Sequence, residues 1–134
     1  MKELNKINVF IERASDGTYS AYMPEQSLNF GAIGEGNTAS DAREDFINVV
    51  NAYVADGETL PAGAQFEFSY DMASFLAYYQ SRLTLAGLSR ITGVSQGQLS
   101  HYVTGRRKPS QRTTEKIQRS LHVFAEDLQQ IHFI

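Results

Sequence analysis

The chain has 134 residues, with 12 basic and 15 acidic side chains, a formal net charge of −3 and no cysteine. That length suits one domain or two small ones. The missing cysteine excludes disulfides, thiol catalysis and Cys-based zinc sites, and agrees with a reducing compartment. No stretch approaches the ~20 apolar residues that span a bilayer. The opening MKELNKINVFIERASDG has no apolar run of signal-peptide length, so a cytoplasmic protein is expected.

The mild total conceals two halves of opposite sign. Residues 1–70 carry four basic side chains (Lys2, Lys6, Arg13, Arg43) against eleven acidic ones, a net of −7. Residues 71–134 carry eight basic and four acidic, a net of +4. A basic half suits a polyanion such as nucleic acid. An acidic half suits a cationic partner, or forms an ordinary solvated surface. Two modules, 1–70 and 71–134, are expected, each small enough to lean on a neighbour.

Along the first half, Ile7, Val9 and Ile11 alternate with Asn8, Phe10 and Glu12, the period of a half-buried strand. Asp16-Gly17 supplies a turn, and Tyr19, Ala21 and Met23 resume the alternation. A third strand is predicted from Leu28 to Ile33, running into a turn at Gly34-Glu35-Gly36. Thr38 caps a helix whose apolar stripe is Ala39, Ala42, Phe46, Val49, Val50 and Tyr53, with Gly57 just past its end. Pro61-Ala62-Gly63 turns the chain into a fourth strand with Phe66, Phe68 and Tyr70 on one face. The order β-β-β-α-β predicts an α+β layer with the helix on one side of the sheet.

Three short runs in this half resemble the HicB antitoxin family. They are Ile7-Asn-Val-Phe-Ile-Glu-Arg, then Asp16-Gly17-Thr-Tyr-Ser-Ala-Tyr-Met-Pro24-Glu25, then Gly34-Glu-Gly-Asn-Thr38 before a helix with Ala42 and Phe46. The resemblance covers about residues 5–70. It implies a partial RNase-H-like domain without nuclease activity, whose partner is a small HicA-like ribonuclease toxin. An acidic surface fits that implication, since a toxin that grips RNA should be basic. Enzymatic work by this half is not expected. Glu12, Asp16, Glu25 and Glu35 can be imagined as metal-binding carboxylates, but two-metal sites need several carboxylates converging on ions ~4 Å apart. Asp16 and Glu35 fall in turn-like segments, and no Asp-x-Asp or His-x-x-Glu spacing occurs. No catalytic residue, metal or cofactor is therefore assigned.

The second half reads as five short helices. Asp71 caps the first, with Ala73, Leu76, Tyr79 and Leu83 inward. Leu85, Leu88 and Ile91 mark the second, ended by Gly93; Ser95 caps the third, with Leu99, Tyr102 and Val103 inward and Gly105 after it. Ile117, Leu121, Phe124, Leu128 and Ile131 mark two more segments around His122-Val123. Gly93 can supply the φ > 0 of a tight turn between the second and third of these helices.

The run Leu85-Ala-Gly-Leu-Ser-Arg-Ile-Thr-Gly93-Val94-Ser95-Gln96-Gly97-Gln98-Leu99-Ser100-His101-Tyr102 resembles the helix-turn-helix of the XRE, or phage-repressor-like, family. The continuation Thr104-Gly105-Arg-Arg-Lys-Pro109-Ser110 resembles that family's phosphate-contacting loop, and the likeness spans about residues 75–128. It implies a recognition helix from Gln96 to Thr104, with double-stranded operator DNA as partner. Gln96 matches the usual base-reading position and Gln98 adjoins it; Gln pairs bidentately with adenine. His101, one turn on, is either a third base reader or a bystander. Arg106, Arg107, Lys108 and Arg112 are the phosphate candidates, with Arg90, Lys116 and Arg119 behind them. Gly97 departs from the family, which often has a polar side chain there; it either reduces base contact or lets the backbone approach the groove. Leu85 departs too, replacing a polar residue that often bonds phosphate.

Paired half-sites one turn apart (~34 Å) imply a homodimer or higher assembly. Phe124, Leu128, Ile131, Phe133 and Ile134 either close the helical core or form the dimer contact. Three scattered histidines (His101, His122, His132) give no metal site. Taken together, an antitoxin that represses its own operon is expected. The alternative is a stand-alone XRE-family transcriptional regulator whose first half binds a ligand or oligomerises.

Overall fold

Alternation and capping in the sequence become nine elements in the computed structural model, which describes residues 5–134. Lys2, counted in the charge of the first half, lies outside the described residues. The elements are β1 (Asn5–Arg13), β2 (Tyr19–Tyr22), β3 (Ile33–Gly36), α1 (Ala39–Ala55), β4 (Ala64–Tyr70), α2 (Met72–Tyr79), α3 (Leu85–Thr92), α4 (Gln96–Val103) and α5 (Gln111–Gln129). The protein is a mixed α+β chain in two units, Met1–Tyr78 and Tyr79–Ile134.

In the first unit the sheet order is β3-β2-β1-β4. β1 runs antiparallel to β2, which runs antiparallel to β3. The hairpin closes on Asp16, whose carboxylate accepts from the Thr18 amide at 2.9 Å and hydroxyl at 2.6 Å. Those bonds hold the Asp16 carboxyl below its usual range. β1 is parallel to β4, and a parallel pair needs a crossover, which α1 provides. Ile7, Val9 and Ile11 of β1 and Ala21 of β2 are buried beneath Ala39, Ala42, Phe46 and Val50 of α1. Phe46 meets the rings of Phe66 and Phe68 edge-on, with centroids 5.5 and 6.3 Å apart. Burying one such side chain contributes about 1.5–3 kcal/mol.

The third strand is not where alternation placed it. Leu28, Phe30 and Ala32 are buried as the pattern demands, yet their segment is irregular and the strand starts at Ile33. Gly34 and Gly36, expected to turn, lie within that strand. Their role is close approach: a Cβ on Gly34 would fall 2.4 Å from the Ala42 carbonyl oxygen and the Phe46 nitrogen of α1. Asp45 adds a bond, accepting from the Glu35 N–H at 2.8 Å. Thr38 caps α1 as predicted, its hydroxyl oxygen accepting from the Asp41 N–H at 3.0 Å.

The first unit also reaches further than residue 70. Asp71 accepts from the Ser74 amide at 2.8 Å, capping α2, and from the Arg13 amide at 3.0 Å, which ties α2 to the end of β1. Ala77 and Tyr78 pack on the sheet–helix core. The Arg43 guanidinium lies 4.4 Å over the Phe68 ring and donates to the Tyr78 hydroxyl. The division therefore follows Tyr78, whereas the sequence reading put it after Tyr70.

Two helical expectations need correction. Leu83 does not extend α2: its N–H bonds the Tyr79 carbonyl in a turn, because Thr84 is already extended as the N-cap of α3. The two segments expected around His122-Val123 are one helix, α5, of 19 residues. Neither residue is a helix breaker, and Ile117, Leu121, Phe124 and Leu128 keep one continuous stripe. Five short helices are thus four after β4.

Gly34→Ala should destabilise the first unit by about 2 kcal/mol or more, since the added methyl meets backbone that cannot step aside. Gly31→Ala, where a Cβ meets nothing within 4 Å, should stay within ~0.5 kcal/mol. Urea denaturation of both variants checks this; equal losses would refute the close-approach account.

Candidate nucleic-acid interface and an open sheet face

In the second unit, four residues, Thr92 to Ser95, set the junction of α3 and α4. Thr92 is buried, and its hydroxyl donates to the Leu88 carbonyl at 2.7 Å while accepting from the Val94 amide at 3.2 Å. Gly93 ends α3 at φ 74° and donates its N–H to the Ser89 carbonyl at 2.8 Å. A residue with a Cβ is strained there. Val94 is buried, and Ser95 opens α4 by accepting from the Gln98 amide at 3.2 Å. Leu88, Leu99, Tyr102 and Ile117 are buried beneath these helices. The sequence reading missed Thr92, although a hydroxyl one position before the C-cap glycine was the available signal.

The base-reading candidates fall on α4. Gln96 is exposed at its first position, and its side chain makes no hydrogen bond among the described residues. Gln98 is exposed but tied back: its Oε1 accepts from the Ser95 hydroxyl at 3.3 Å, completing a capping pair. His101 is half-buried one turn on, and its carbonyl accepts from the Thr104 hydroxyl and the Arg107 amide. The structure thus leaves Gln96 freer to read a base than Gln98. Thr84, just before Leu85, gives α3 a polar start, its hydroxyl oxygen accepting from the Gly87 amide at 3.0 Å.

The phosphate candidates follow directly. Arg106, Arg107 and Lys108 are exposed in the loop after α4, and Arg112 is exposed in the first turn of α5. Among the described residues, none of the four is held in an ion pair. A cation in a helix's first turn opposes the helix dipole, so Arg112 gains only if an anion docks there. Lys116 of α5 lies near the turn, its Nζ 3.4 Å from where a Cβ on Gly93 would sit.

In the first unit, α1 covers one face of the sheet and leaves the other open. Phe10 stands opposite Tyr22, and Tyr22 opposite Ile33, so three apolar side chains form a row across three strands. Ile33 is 62% exposed and Phe10 37%. The next row holds Glu12, Ser20 and Glu35. Tyr22 donates its hydroxyl to Glu12 at 2.7 Å, which raises the phenol's pKa above its ordinary value. A shallow pocket of about 210 Å³ opens beside the row, lined by Phe10, Ile11, Glu12, Ser69, Tyr70 and Asp71. Among the described residues, no three His, Asp or Glu side chains gather closely enough to hold a metal ion.

A family model described as helix-turn-helix matches residues 80–123, which contain α3, the turn, α4 and the first part of α5. No curated protein and no solved structure matches the chain. Residues 80–123 are an XRE-type helix-turn-helix domain, which supports DNA binding and a role in transcription regulation. Among the described residues, no helix is long and apolar enough to cross a membrane.

Gln96→Ala should cost about 1–3 kcal/mol on a duplex that the protein has selected from a random pool, and little on random DNA. Arg107→Ala should weaken both about equally and lower the salt slope by about one. Fluorescence anisotropy across a salt series separates them; identical profiles for the two variants would contradict the assignment.

Proposed function

We propose that this chain is the antitoxin of a HicA/HicB-type pair and the repressor of its own operon. The helix-turn-helix domain binds the operator, with Gln96 reading a base and Arg106, Arg107, Lys108 and Arg112 holding phosphates. The first unit covers a basic ribonuclease and so keeps it from RNA. Inhibition is by occlusion, without chemistry by this chain and without a cofactor. The observation that carries the reading is the pairing of an acidic unit, open on one sheet face, with a helix-turn-helix whose exposed Arg106, Arg107, Lys108 and Arg112 are in no ion pair among the described residues. The β3-β2-β1-β4 order with β1 and β4 parallel is compatible with a partial RNase-H-like domain.

The toxin is assigned to the open face. The Phe10–Tyr22–Ile33 row offers apolar anchorage, and Glu12 and Glu35 beside it favour a cationic partner. The operator is bound by a dimer formed through α5 and the residues after it. Val123, Leu128, Ile131 and Phe133 are 59, 49, 50 and 94% exposed there, more apolar surface than a solvated helix end requires.

The 210 Å³ pocket favours a second reading, in which the first unit takes a small ligand and the chain is a stand-alone regulator. Co-expression with the product of the adjacent short open reading frame separates the two. The antitoxin reading expects a basic ribonuclease there, growth rescue by the full chain, and loss of rescue with Phe10→Asp or Ile33→Asp while DNA binding persists. A neighbour that is neither toxic nor captured would leave the regulator reading in its place. Leu128→Glu should shift the protein toward monomer by light scattering; an unchanged mass would remove α5 from the dimer contact.

A further inference from the structure

Gly97 occupies the second position of α4. Only proline is worse than glycine in a helix, so a glycine inside one calls for a reason. The structure offers none among the described residues. Gly97 is not among the residues with positive φ, and a Cβ built on it meets nothing within 4 Å. The other helical glycine, Gly87, does have a neighbour: its Cβ would stand 3.2 Å from the Thr84 hydroxyl oxygen. The open space over Gly97 lies between Gln96 and Gln98, both exposed. The cap hydroxyl of Ser95 takes the Gln98 amide, not that of Gly97. The Gly97 N–H also precedes the intrahelical bonds of α4, which begin with Leu99 to the Ser95 carbonyl. A bare stretch of backbone carrying a spare donor is thus presented beside the side chain best placed to read DNA.

We propose that Gly97 is a specificity-determining residue: its missing side chain lets the first turn of α4 seat directly against base edges in the major groove. This inference rests on the DNA-binding reading of α4. The groove is wide enough for a helix but leaves little clearance at base-pair edges. A side chain at 97 would lift α4 by the width of a methyl group or more. Gln96 would then lose its reach, while the loop cations, on flexible stems, would still find phosphates.

The test uses the full chain and a random-sequence duplex pool, from which the wild type selects its preferred sequence. Gly97→Ala should bind that duplex about tenfold more weakly, the size of one lost base contact. Gly97→Gln should lose more, because its side chain is larger. Affinity for mixed-sequence DNA should change less than about twofold in both, and the thermal midpoint should hold or rise, since either residue is the better helix former. Either variant binding the selected duplex as tightly as the wild type overturns the proposal and leaves DNA binding intact. A wild-type chain that enriches no sequence overturns the DNA reading, and the proposal with it. A fall in thermal midpoint matching the fall in affinity also counts against it, because Gly97 would then have a structural reason inside the fold.

Discussion

The turn from Thr92 to Ser95 is the constraint on which the DNA-facing surface depends. Thr92 satisfies the backbone on both sides of the turn, Gly93 takes the left-handed conformation, and Val94 fills the space below. Together they fix the direction in which α4 leaves α3. That direction decides whether Gln96 faces outward and where the Arg106–Lys108 loop begins. None of these exposed residues contributes much to holding the unit together. The interior that holds them is small, built on Leu88, Leu99, Tyr102 and Ile117. A polar hydroxyl at its centre is tolerated because both its hydrogen-bonding roles are filled.

Charge is divided between the units in a way that packing does not require. Most acidic side chains of the first unit are exposed, and several of them serve the unit itself: Asp16 closes a hairpin, Asp45 holds β3, Glu12 accepts from Tyr22, and Asp71 caps α2 and ties it to β1. The side chains of Arg106, Arg107 and Lys108 in the second unit are in no ion pair among the described residues. Surface charges of one sign repel each other and raise the energy of the folded state. Such an arrangement is relieved when an oppositely charged partner binds.

Much of this was readable from the residues, and the failures have physical causes. Strands β1, β2 and β4, the capped helix α1 and the α3–α4 junction follow from period-two alternation, hydroxyl caps and a C-cap glycine, all local signals. The strand expected from Leu28 to Ile33 starts only at Ile33, although Leu28, Phe30 and Ala32 are buried, because alternate burial does not itself demand a hydrogen-bonding partner strand. Gly34 and Gly36 were read as a turn because a sequence does not reveal that a helix will pass within contact distance. The extension of the first unit to Tyr78 depends on Arg43 reaching across from α1, a long-range contact. At the interface, the positions of Gln96 and the loop cations were legible, while the tying-back of Gln98 and the role of Thr92 depend on geometry.

The parallel pairing of β1 with β4 has a consequence for how the chain acquires its structure. Arg13 and Asp71, bonded at the end of that pairing, lie 58 positions apart, and the sheet is incomplete until α1 has crossed between them. Long closures of this kind cost entropy before they return contacts, whereas neighbouring helices joined by tight turns do not. The helical unit is accordingly expected to fold faster than the sheet unit. The ability to hold a phosphate polymer is expected to mature before the acidic surface does.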